Sequence, residues 1–176
     1  MYGWLLLSGL DVSAQTAPSP EYQIKAVFLF NFAQFVQWPP SAFSGADTPL
    51  VIGVLGVNPF GAYLDDTVRG EKVDNRSLVV EHYHAVDEIK ACHVLFISRS
   101  EATRLEQILA SLKDRSVLVV GDGDDFVQRG GTIRLATHQN KIRLIVNVEA
   151  AKLANLTISS KLLRSAELVN LSSSRR

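Results

Sequence analysis

The chain has 176 residues, a formal net charge of zero, 47% hydrophobic and 20% charged residues, and one cysteine. That length suits one domain with a sizeable core, and the balanced charge argues against non-specific nucleic-acid binding, which needs a basic surface. With Cys92 alone, an internal disulfide and a cysteine-cluster metal site are both excluded.

The first residues read as an export signal. Tyr2-Gly-Trp-Leu-Leu-Leu-Ser-Gly-Leu10 is apolar but too short to span a bilayer. Val12-Ser13-Ala14 then offers small residues for a signal peptidase, ahead of the polar Gln15-Thr-Ala-Pro-Ser-Pro20. No Lys or Arg precedes Lys25, so the basic start of a signal is missing. The reading is a signal clipped at its start, its true start codon upstream, with cleavage after Ala14. The expected organisation is a signal over 1–14, a spacer over 15–20, one domain over 21–170 and a disordered tail over 171–176. An exported product of this kind is periplasmic in a bacterium. No later run has the length of a transmembrane segment.

Next comes an aromatic stretch, with Tyr22, Phe28, Phe30, Phe32, Phe35 and Trp38 loading one predicted helix that Pro39-Pro40 stops. At about 100° per residue, Ile24, Phe28, Leu29, Phe32, Phe35 and Val36 form one broad apolar arc. Phe30 falls among Gln23, Gln34 and Gln37, with Val27 and Trp38 at the edge of the arc. Val27, Phe30 and Trp38 are therefore expected to form a second, exposed strip, a place for another chain to dock. Leu162 and Leu163, from the last predicted helix, are its expected neighbours.

The remaining elements alternate. Leu50–Leu55 reads as a strand buried on both faces, and Asn58-Pro59 opens a short helix toward Val68. Strands are expected over Leu78–His84, Cys92–Ser98 and Val117–Val120, with a helix over Glu101–Leu112 capped by Ser100. Thr132–Thr137 and Lys141–Val148 alternate charged and apolar residues and form a hairpin. A helix follows from Glu149, then a break at Asn155–Thr157 and a last helix around Ser160–Val169. The fold class is α/β: a single three-layer domain, mainly parallel, with helices on both faces and a C-terminal antiparallel hairpin at the sheet edge.

In such a sheet ligands bind beyond the carboxyl ends of the strands. Asn58, Ser98, Arg99, Ser100 and Asp122 fall there, with Arg99 the anchor for a carboxylate or phosphate. Other chemistries find little support. No Gly-x-Gly-x-x-Gly or phosphate-loop motif occurs, so no cofactor is expected. Phe126 and Ile133 stand where a calcium loop starting at Asp122 needs ligands, so Asp124 or Asp125 is read as a helix cap. His82 and His84 share a strand face with His93 or Cys92 nearby, but they read as surface histidines and no metal is expected. No nucleophile motif is present either, so the expectation is not an enzyme.

Five blocks in order resemble the YfiR-like family: Tyr22–Pro39, Pro49–Gly56, Cys92–Glu101, Phe126-Val-Gln-Arg-Gly-Gly131 and Ile158–Val169. The resemblance implies a periplasmic, often dimeric, non-enzymatic repressor. Such proteins act on the periplasmic sensor region of a membrane-bound diguanylate cyclase and lower cyclic di-GMP signalling and biofilm formation. An outer-membrane lipoprotein or an envelope signal relieves that repression. The best-known members carry disulfide-forming cysteine pairs, whereas Cys92 is alone. The alternative reading is a sensor for an anionic metabolite or nucleotide, acting on another membrane receptor such as a histidine kinase.

Overall fold

The computed structural model describes residues 17–169, so the expected signal and tail lie outside the described residues. Helix α1 (Pro20–Phe35) leads into a two-residue strand β1 (Val36–Gln37), then β2 (Leu50–Leu55) and α2 (Tyr63–Val68). Strands β3 (Lys72–Val73), β4 (Arg76–Tyr83) and β5 (Val94–Ile97) follow, then α3 (Leu105–Ser111) and β6 (Leu118–Gly121). The chain continues through β7 (Ile133–His138), β8 (Lys141–Asn147), α4 (Val148–Leu153), β9 (Thr157–Ile158), α5 (Ser160–Leu163) and β10 (Ala166–Val169).

Eight strands form the main sheet in the order β10-β8-β7-β6-β5-β2-β4-β3. The block from β4 to β6 is parallel, β7 and β8 form the antiparallel hairpin, and β10 runs parallel to β8. Because β4 and β5 lie on opposite sides of β2, the topological switch falls between β2 and β5. The fold is α/β, as read from the sequence. The hairpin sits one strand in from the edge, which β10 occupies.

Alternation along the strands sends side chains to two cores. Ile52, Val54, Val94, Phe96, Leu118, Val120, Ile133 and Leu135 meet α1, α2 and α5 on one face. Leu55, Leu95, Ile97 and Val119 meet α3 and Phe126 on the other. Two close approaches need glycine. A Cβ on Gly53 would lie 2.7 Å from the Tyr83 ring and 2.8 Å from the Cys92 Sγ. The Phe126 ring fills the space above both Gly121 and Gly131, where added Cβ atoms would come within 2.4 and 2.1 Å.

Three local expectations are corrected. The aromatic helix ends at Phe35 rather than Trp38, because Pro39 would clash with the carbonyl four residues back. That carbonyl, Phe35 O, instead accepts from the Ser159 N–H at 2.8 Å, and β1 pairs antiparallel with β9. The last predicted helix stops at Leu163, since Ala166–Val169 pairs with β8. The segment after β5 opens as a 3₁₀ turn over Arg99–Arg104, with Ser98 rather than Ser100 accepting at its cap.

Candidate functional site at the carboxyl edge of the sheet

The buried face of α1 is not the predicted arc. It consists of Lys25, Ala26, Leu29, Phe32 and Ala33, centred roughly 70° away at about 100° per residue. Ile24 is left 44% exposed and Val27 41% exposed. The small side chains of Ala26 and Ala33 bring the helix close to the sheet, and Lys25, 0% exposed, points into it.

Lys25 sits in a network beyond the ends of β5 and β6. Its Nζ donates to Asp122 Oδ2 at 2.6 Å and to Glu21 Oε1, one helical turn back, at 2.5 Å. The Tyr22 hydroxyl donates to the same Asp122 oxygen at 2.9 Å. Arg99 Nε donates to Asp122 Oδ1 at 3.1 Å, and its Nη2 to the Asp122 carbonyl at 3.0 Å. Thr137 Oγ1 donates to Glu21 Oε1 at 2.6 Å and extends the network to β7. Two cations and two carboxylates thus balance.

Burial pushes the Asp122 carboxyl up, but Lys25, Tyr22 and Arg99 together outweigh it and hold it below its usual range. The hydrogen bond from Lys25 leads in lowering Glu21. Burial, then the Asp122 charge, raises the Tyr22 phenol, and the Asp122 charge raises Arg99. Chemically, the cluster is a set of matched charges that fastens α1 to β5, β6 and β7.

The sequence-predicted ligand set divides. Arg99 and Asp122 meet each other and α1. Asn58 and Ser100 instead line a cleft of about 400 Å³ at the switch point, with Gly56, Val57, His82, Tyr83, His84 and Glu101. Asn58 is engaged in its own turn, accepting from Phe60 N at 2.9 Å and donating to Gly61 O at 3.0 Å. Ser100 Oγ accepts from Val57 N at 3.0 Å, tying the end of β2 to the end of β5. Ser98 is buried at its cap.

The histidines separate as well. His82 faces Asp65 at 3.2 Å, and His93 is buried elsewhere. Among the described residues no three His, Cys, Asp or Glu side chains converge as metal ligands. Asp124 and Asp125 pair with Arg134 and Arg129 instead of capping a helix.

The sequence over residues 22–167 matches the model of the YfiR/HmsC-like family. The chain belongs to that family. A solved structure of similar fold is a conserved domain protein from Vibrio cholerae O1 biovar El Tor strain N16961, with 17% identity and a TM-score of 0.51. The alignment covers 88% of this chain and 61% of that one. At that identity the likeness bears on the fold alone, and this chain spans less than two thirds of that protein's length. No curated protein matches the sequence.

The blocks that carry the YfiR/HmsC-like resemblance are structural in this chain. Tyr22–Pro39 holds most of α1, with Tyr22 and Lys25 of the charge network. Phe126–Gly131 is the aromatic wedge with its receiving glycine, and Ile158–Val169 supplies β9, α5 and the edge strand. Among the described residues no helix is long and apolar enough to cross a membrane.

The expected docking residues do not form one strip. Val27 is exposed on α1, whereas Phe30 and Leu163 are half-buried against the first core. Trp38 lies beyond the helix, half-buried, its Nε1–H donated to His93 O at 3.1 Å, and Leu162 is buried. Sequence reasoning missed Lys25. The signal was there: Glu21 and Lys25 stand four apart, and Lys25 shares a helix face with Leu29 and Phe32.

Proposed function

We propose that this protein is a non-enzymatic periplasmic regulator. As a homodimer it docks on the periplasmic sensor region of a membrane-bound diguanylate cyclase and lowers cyclic di-GMP signalling and biofilm formation. An outer-membrane lipoprotein or an envelope signal lifts the restraint. Membership of the YfiR/HmsC-like family over residues 22–167 carries this reading. Two features of the chain agree with it. The charged groups at the carboxyl edge of the sheet bind one another, and the first helix leaves Ile24 and Val27 uncovered. Val27 is the core of the contact surface we assign, with Ile24 beside it. Phe30, Trp38, Leu162 and Leu163 pack against the first core and are left out of that surface.

The test joins cell and protein measurements. Deleting the gene should raise cellular cyclic di-GMP, and the purified protein should bind the periplasmic region of the cyclase encoded in the same genome neighbourhood. Val27→Glu should abolish that binding while leaving the melting temperature within about 2 °C, as expected for an exposed position. Unchanged cyclic di-GMP on deletion would refute the function. Wild-type binding by Val27→Glu would refute the surface alone.

A further inference from the structure

At the opposite end of the sheet, one histidine holds a whole segment in place. His93, just before β5, is 1% exposed and uses both ring nitrogens. Nδ1 accepts the Val51 main-chain N–H at 3.0 Å, and Nε2 faces the Ala42 carbonyl at 3.1 Å. An amide N–H can only donate, so Nδ1 must be bare and the proton must sit on Nε2. The ring is also packed on both sides. Phe43 stacks on it with centroids 4.3 Å apart at 16°, and Trp38 meets it edge-on at 6.1 Å. The imidazole thus holds residues 38–43 to the sheet, together with the bond from the Trp38 indole to the His93 carbonyl at 3.1 Å and Arg76 over the Phe43 ring.

We propose that His93 is a proton-operated latch: a second proton on its ring breaks the Val51 contact and frees the segment that carries Trp38 and Phe43. Protonated Nδ1 would set one N–H against another, leaving the Val51 amide without an acceptor. The charged surroundings offer no compensation. The neighbouring strands Leu50–Leu55 and Leu118–Gly121 contain no titratable residue, nor does the turn Pro40–Ala42. On β4, Arg76 lies over the Phe43 ring at 3.8 Å and holds the carbonyls of Gly45, Ala46 and Thr48. Its positive charge opposes a second one on His93. Asp47 belongs to that loop, Asp74 lines the cleft beside Phe43 and Arg76, and Asp87, Glu88 and Lys90 precede His93 in the chain. None of them makes an ion pair with His93 or Arg76 among the described residues. Adjacent Cys92 keeps its proton, its thiol pushed up to about 12 by burial.

Burial first, and the Arg76 charge with it, lowers the His93 pKa from 6.5 in the closed form. The released ring titrates ordinarily. The closed state is therefore fully favoured above pH 6.5. Below it the open population rises about tenfold per pH unit, until the closed ring itself takes the proton. This device does not depend on which partner the protein binds.

The full-length chain with Trp4→Phe leaves Trp38 as the sole tryptophan, so its fluorescence reports the segment directly. We expect a reversible change with a midpoint below pH 6.5 and unaltered far-UV circular dichroism. The hydrogen-exchange protection factor of Val51 should fall about tenfold per pH unit over the same range. The ¹⁵N shifts of the His93 ring should pass from the Nε2–H tautomer to the doubly protonated form with the same midpoint. His82→Gln, at an exposed ring, should leave that midpoint in place, and His93→Gln should remove the transition. A transition kept at the same midpoint in His93→Gln would overturn the latch. If that variant does not fold, the wild-type ¹⁵N shifts decide: a His93 ring still neutral after Trp38 has changed overturns it equally.

Discussion

Replacing Lys25 with methionine tests the charge network most directly. The ammonium and the Asp122 carboxylate lie 2.6 Å apart, with side chains 0% and 1% exposed. At an effective dielectric of about 20 their attraction is roughly 6 kcal/mol. Desolvation offsets much of this, but removing one partner leaves the other charge stranded, and such losses run at about 3–5 kcal/mol. Tyr22 and Arg99 still serve Asp122, so the low end applies, about 3 kcal/mol. For a domain of this size that lowers the melting temperature by roughly 6–12 °C.

The pH dependence has a definite sign. In the wild type the folded Asp122 pKa lies below 3.8, so its stabilisation is present above 3.8 and lost as pH falls through the folded value. In Lys25→Met the largest counterweight to burial is gone, so that pKa rises relative to the wild type and the carboxyl takes up its proton earlier as pH falls. Its deficit should be largest at neutral pH and should narrow toward pH 4. Urea melts at a series of pH values measure both quantities. A deficit under about 1 kcal/mol at pH 7, or one that widens with acid, would refute the reasoning.

Two further outcomes follow from packing and burial. Gly131→Ala places a methyl 2.1 Å from the Phe126 ring, so it should cost about 1–3 kcal/mol in thermal or chemical melts. Combining it with Phe126→Leu should recover part of that loss, and additive losses would argue against a wedge. The Cys92 thiol, buried, donating to Val94 O at 3.2 Å and raised to about 12, should resist iodoacetamide at pH 8 in the native state and react once unfolded. Modification of the folded protein would refute that burial.

Strand and helix periodicity made most of the architecture legible, and particular residues show where it failed. Apolar periodicity puts the α1 arc through the bulky side chains of Ile24, Phe28 and Phe35. The sheet instead takes the face with Ala26 and Ala33, because close approach favours small residues and the buried charge pair fixes the rotation. Ala166–Val169 carries apolar spacing that suits a helix as well as a strand, and pairing with β8 decides it. The strand order alone puts both Arg99 and Asp122 at the carboxyl edge of the sheet. A guanidinium suited to an external anion meets an internal one, and sequence order alone does not distinguish the two.

The link between Lys25 and Asp122 spans 97 positions, which constrains the order of assembly. A chain emerging from its N-terminus first produces α1 long before β6 exists. Until then Lys25 has only Glu21, and pressing an ammonium into a half-formed core costs more than leaving it in water. Helix α1 therefore waits for β6 before it docks. During that interval its aromatic face stays exposed, which makes the half-made chain prone to aggregate.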